Sequence, residues 1–165
     1  MAQTKLGENT VNTIGDLPAI GSTAPNFTLV DNTLKEVSLS DFKGKKVVLS
    51  IFPSIDTGVC ATAVREFNKR ATGLDNTVVL SISKDLPFAF KRFCGAEGID
   101  KVITLSDFRN TGFSKAYGME MADGGMKGFF ARAIVVLDEN GKVKHTEVVP
   151  AVGQEPNYDA ALNAL

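Results

Sequence analysis

Two runs, residues 47–52 (VVLSIF) and 77–83 (TVVLSIS), constrain the fold of this chain more than any other feature. Both are rich in apolar and β-branched residues and neither carries a charge, the pattern of strands covered on both sides. Such strands lie in the middle of a sheet, and parallel neighbours there need a crossover between them. The period changes accordingly between the runs. Cys60, Ala63, Val64, Phe67 and Ala71 fall at helical spacing on one apolar face, and Leu86, Ala89, Phe90, Phe93 and Cys94 repeat it after the second run, with Gly95 as the expected stop. Residues 102–105 and 133–137 read as further buried strands. Asp138-Glu139-Asn140-Gly141 turns the chain into residues 142–149, a hairpin carried by Asn-Gly. A closing helix follows from Tyr158, Ala161, Leu162 and Leu165, with Pro156 in its first turn. Near the start, Gly7-Glu8-Asn9 predicts a small hairpin, residues 27–30 a short strand, and Ser40-Asp41-Phe42 a helical turn. The order is that of an α/β protein with a mixed central β-sheet flanked by helices and an N-terminal β-hairpin. Periodicity alone does not choose among three-layer folds of this kind.

Composition narrows the function. The 165 residues, 44% hydrophobic and 22% charged, predict a single soluble domain over 1–165. Lysine and arginine (18) balance aspartate and glutamate (19) without any block of like charge, which argues against nucleic acid as a partner. The apolar runs are far too short to cross a bilayer. The N-terminal MAQTKLGENT has no apolar signal region, so a cytoplasmic protein is expected. Two cysteines without a CxxC spacing and one histidine make a metal site unexpected. A serine-histidine dyad would rest on His145 alone, with no GxSxG turn to serve it; His145 is expected to be an exposed strand residue. The Gly- and Met-rich segment 118–128 (GMEMADGGMKG) reads as a mobile loop rather than a cofactor cradle.

Chemistry concentrates around Cys60. In Pro53-Ser54-Ile55-Asp56-Thr57-Gly58-Val59-Cys60 a proline ends the buried strand and the cysteine falls in the first turn of the next helix. Unpaired N–H groups and the positive end of the helix dipole favour a thiolate there. Thr57 is placed to bring a hydroxyl beside the sulfur and beside the oxygen of whatever the sulfur attacks. The competing reading is a buried cysteine acting as a small hydrophobe, and it applies to Cys94 as well. Arg132, on a strand face with Ile134 and Val136, needs a partner if buried. Its charge is met either by the site itself or, as a strand-end residue, by a carboxylate or by water to which the head reaches.

PSIDTGVC fits the Pro-x-x-x-Thr-x-x-Cys signature of the peroxiredoxins. Together with RFCGAEGIDKVITLSDFRN, KGFFARAIVVLDENGKV and TEVVPAVGQEPNYDAAL, the chain resembles the bacterial thiol peroxidases, their atypical two-cysteine branch, over effectively its whole length. The resemblance implies a thioredoxin-like fold and a peroxidase that uses no metal, haem or flavin. It assigns Cys60 as the peroxidatic cysteine, Thr57 as orienting the peroxide, Pro53 as shielding the sulfur and Arg132 as supplying positive charge. Cys94 would be the resolving cysteine, thioredoxin the reductant, and the chain a homodimer acting on hydrogen peroxide and alkyl hydroperoxides. A disulfide needs Cα atoms within about 7 Å, so two cysteines on separate helices imply that the Cys94 helix partly unwinds. The alternative is a non-enzymatic redox-sensing domain with a static Cys60–Cys94 disulfide.

Overall fold

The computed structural model describes residues 1–165. Strands β1 (Gln3–Leu6) and β2 (Asn9–Asn12) form the N-terminal hairpin. The main sheet then takes β3 (Thr28–Asp31), β4 (Glu36–Ser38), β5 (Lys46–Ile51), β6 (Thr77–Ser83), β7 (Val102–Ser106), β8 (Ala133–Leu137) and β9 (Val143–Val148). Its spatial order is β4-β3-β7-β6-β5-β8-β9. The two apolar runs, β5 and β6, are parallel and central, while β8 lies antiparallel against β5. Helices α1 (Gly58–Ala71) and α2 (Pro87–Glu97) are the crossovers β5–β6 and β6–β7, α3 (Phe113–Tyr117) is a short insert, and α4 (Tyr158–Asn163) closes the chain. Residues 39–42 make the expected turn, a single stretch of 3-10 helix.

The sheet divides two apolar layers. Val48, Val79, Ile134 and Val136 face α1, α2 and α4, whose Cys60, Val64, Phe67, Phe90, Phe93 and Tyr158 complete that layer. Leu49, Ile51, Leu80, Ile82 and Val135 project to the other side, against Phe27, Phe113, Tyr117 and Phe130. Alternation of side chains along each strand produces both layers from one sequence run, because successive residues point to opposite faces.

Three expectations change. Helix α2 does not stop at Gly95 but runs to Glu97. Its cap is Gly98, at φ 65°, whose N–H bonds the Cys94 carbonyl, and only that glycine adopts the left-handed conformation such a cap requires. The segment 118–128 is not a loose loop, since Met119 and Met121 are each 1% exposed and belong to the core. Gly118, at φ 71°, lets the N-terminal segment pass so closely that a Cβ there would meet the Asp16 nitrogen at 2.5 Å. His145 is half-buried, and its Nε2 has no hydrogen-bond partner.

Candidate active site

The topology brings Cys60 and Arg132 together. Strand β5 ends at Ile51, and its antiparallel partner β8 begins opposite it, with Ile51 paired to Ala133. The residue before β8 is Arg132, and the residues after β5 lead through Phe52 and Pro53 into α1. Sharing the face of Ile134, the Arg132 side chain enters the layer that contains Cys60.

Thr57 is the N-cap of α1, so Cys60 is the third residue of the helix, where N–H groups lack helical partners. The cysteine is 0% exposed and Arg132 is 2% exposed. Arg132 Nη2 donates to Cys60 Sγ at 3.1 Å. Nε and Nη2 also donate to the Val152 carbonyl, at 3.1 and 2.9 Å. The third nitrogen, Nη1, is buried with no partner. No carboxylate lies within ion-pair distance of this guanidinium; the surface arginines 65, 70 and 92 have such partners and Arg132 does not. An unneutralised buried charge is costly, and the side-chain atom that faces it is the Cys60 sulfur. The reading of Arg132 as a strand-end residue paired with a carboxylate is thereby overturned.

Pro53, in the segment that leads from β5 to Cys60, is buried. Thr57 is exposed, and its hydroxyl donates to the Ser54 carbonyl at 2.9 Å rather than capping the helix. With its proton engaged there, the oxygen offers lone pairs, so toward a bound hydroperoxide it acts as an acceptor. Cys94 is half-buried on α2 and, like Cys60, forms no disulfide. Its sulfur lies 3.9 Å from Thr104 Oγ1, and burial pushes its thiol up, against the smaller opposing effect of hydrogen bonds from Thr104 and Asn32.

Sequence reasoning passed over Asp85. Its carboxylate accepts from Ser54 Oγ at 2.8 Å, from the Ile55 N–H at 2.7 Å and from Ser83 Oγ, which ties the loop before Cys60 to the turn before α2. An acidic residue two positions ahead of the helix proline was the available signal. The Val152 carbonyl had none, because every residue type carries one.

The Redoxin family matches residues 19–162. Thiol peroxidases of Mycobacterium bovis and Corynebacterium glutamicum are 56% and 53% identical to the chain over all 165 residues, which cover 99% of each relative. The chain belongs to the thiol peroxidases of the Redoxin family. A peroxiredoxin-like protein from Aquifex aeolicus is 37% identical, with a TM-score of 0.92 over 98% of this chain and 94% of that one. The thiol peroxidase from Chromobacterium violaceum, 23% identical over 98% of this chain and 93% of its own, shares the fold with a TM-score of 0.89. Among thiol peroxidases the thioredoxin-like arrangement of a mixed sheet and flanking helices is therefore the expected frame, and this chain has it with its N-terminal hairpin. A cavity of about 570 Å³ lies at the far end of the sheet, between Lys45, Val47, Leu137 and Glu139, and contains none of these site residues.

Proposed function

We propose that this thiol-dependent peroxidase reduces hydroperoxides at Cys60, with Arg132, Thr57 and Pro53 completing the catalytic pocket. The observation that carries the reading is the buried 3.1 Å contact between the guanidinium and the sulfur, without any carboxylate to compete for the charge. The Cys60 thiolate attacks the terminal oxygen of the hydroperoxide. The S–O bond forms as the O–O bond breaks, the sulfur is oxidised to sulfenic acid, and the leaving oxygen takes a proton to depart as water or an alcohol. Nη1 of Arg132, still unpartnered, is available to donate to that oxygen as its negative charge develops. Thr57 accepts the O–H of the incoming peroxide and so points the O–O bond at the sulfur. Because Cys60 is fully covered, the loop bearing Pro53 and Thr57 moves outward to admit substrate.

Cys94 then condenses with the sulfenic acid: the S–S bond forms, the S–O bond breaks and water leaves. The two thiols sit on different helices, so this step takes α2 partly apart, and with it the first turn of α1. A dithiol of the thioredoxin type returns both cysteines to thiols by exchange. We propose further that residues 1–165 act as one domain, as a homodimer, in the cytoplasm. A static disulfide in a non-enzymatic sensor is not favoured, given the thiol peroxidases at 53–56% identity. Turnover of hydrogen peroxide and of an alkyl hydroperoxide with thioredoxin and its reductase tests the reading. Wild type should consume both peroxides, Cys60→Ser neither, and Cys94→Ser should fail to turn over after one round. Sustained turnover by Cys60→Ser would refute it.

A further inference from the structure

Arg132 is held by the segment that follows β9. The Val149 N–H donates to the Arg132 carbonyl at 3.0 Å, and the Val152 carbonyl receives both Nε and Nη2 of the side chain. One short stretch, 149–152, thus fixes both the backbone and the guanidinium plane. Three bonds hold that stretch in turn, and all come from β1. Thr4 Oγ1, on a residue 2% exposed, donates to the Val149 carbonyl at 2.9 Å. The Lys5 N–H donates to the Pro150 carbonyl at 2.9 Å, and the Val152 N–H donates to the Lys5 carbonyl at 2.8 Å. A separate small apolar cluster of Val11, Met121, Ala131 and Val152, with Leu6 packed against it, joins the hairpin to the residues beside Arg132 and to Val152 itself.

We infer that the N-terminal hairpin is a brace for the Arg132 guanidinium, with Thr4 and Lys5 as positioning residues that act on Cys60 through the 149–152 segment. The inference rests on the catalytic role of Arg132 proposed above. A carbonyl receiving two nitrogens of one guanidinium sets the plane of the group, and so sets where Nη1 and Nη2 stand relative to the sulfur. Letting that carbonyl drift turns the donors away from the sulfur and from the leaving oxygen, and small misplacements of such groups are expensive in rate.

Lys5 allows a clean test. It lies opposite Thr10 in the hairpin, but its N–H and carbonyl point away from β2, toward residues 150–152. Lys5→Pro therefore deletes one brace bond while sparing the hairpin ladder. Thr4→Val deletes another at nearly constant volume, and Thr4→Ser restores the hydroxyl. In a Cys94→Ser background, the rate of Cys60 oxidation by hydrogen peroxide is measured across a pH series, well below each variant's melting temperature. Lys5→Pro and Thr4→Val should each slow oxidation about tenfold at neutral pH and move the profile to higher pH, and Thr4→Ser should stay near the parent. Added to Arg132→Met, which alone slows oxidation about a hundredfold or more, Lys5→Pro should have no further effect. Lower melting temperatures with unchanged rate and profile would overturn the brace and leave the hairpin a structural element. If Arg132→Met left the rate unchanged, the role of Arg132 in catalysis would be what fails.

Discussion

Arg132 is a buried cation whose surroundings offer a carbonyl and a sulfur but no carboxylate. Its replacement should therefore act on chemistry more than on fold. Arg132→Met should lower peroxide reduction about 10²- to 10³-fold, the usual cost of losing a preorganised donor to developing charge. Arg132→Lys should recover only part of it, because an ammonium cannot grip the Val152 carbonyl and the sulfur from one rigid fork. A different residue should set part of the pH dependence of stability. Burial pushes the Asp107 carboxyl up, with Glu120 adding to this, against Lys84, Ser114 and the Thr111 N–H, and its Oδ1 has no partner. A group that holds its proton more firmly folded than unfolded contributes most stability below about pH 4, and that contribution fades as pH rises through the folded value. Asp107→Asn should accordingly gain in melting temperature relative to wild type between about pH 4 and pH 7. Parallel melting curves over that range would show the carboxyl to be immaterial.

At the scale of elements, α2 covers the core with Phe90 and Phe93, and in the proposed cycle it also has to release Cys94. The thiolate is the nucleophile in resolution, and burial holds the Cys94 thiol up while α2 is folded. The resolution rate should rise with pH beyond neutrality, read as disulfide formation after a pulse of peroxide. Hydrogen exchange should show residues 94–99 losing protection in the oxidised protein; unchanged protection would mean that the disulfide forms without unwinding. Gly98→Ala places a Cβ at φ 65° and costs about 1 kcal/mol locally, so it should speed resolution.

These elements also show what a sequence displays. Thr77–Ser83 and Ala133–Leu137 match the expected strands end to end, because burial on both faces keeps charge out of both runs. Strand β4, with one apolar residue in Glu36-Val37-Ser38, has no period to read, and α3 is a single turn and a half between two left-handed glycines. Gly95 and Gly98 look alike in sequence; the backbone angle at Gly98, set by its bond to the Cys94 carbonyl, separates them. Cys60 and Thr57 were legible from their place at the start of a helix. The partner of Arg132 was not, since it follows from β8 lying against β5, a pairing between residues 80 positions or more apart in the chain.

The whole molecule is a sheet with two large apolar layers, and the candidate site lies where the central strands β5 and β8 meet. Phe67, 0% exposed and edge-on to Tyr158 at 5.1 Å, anchors one layer; Leu80, 0% exposed, belongs to the other. Phe67→Ala should cost about 3–5 kcal/mol and Leu80→Ala about 2–5 kcal/mol, measured by denaturant unfolding. Gly118→Ala should be worse than its size suggests, since it forces a left-handed residue and collides with the backbone of Asp16. The N-terminal segment would have to leave its place, and a normal melting curve for that variant would contradict the packing described.

The central claim is that one sulfur, paired with a buried guanidinium, takes the oxygen from peroxide. Mass spectrometry of the Cys94→Ser protein after one equivalent of hydrogen peroxide tests it most directly. The account predicts a single added oxygen atom, trapped on the peptide that contains Cys60, and no such gain when Arg132→Met is treated for the same short time. An unmodified Cys60 peptide in the Cys94→Ser protein, or equal oxidation with and without the arginine, would contradict it.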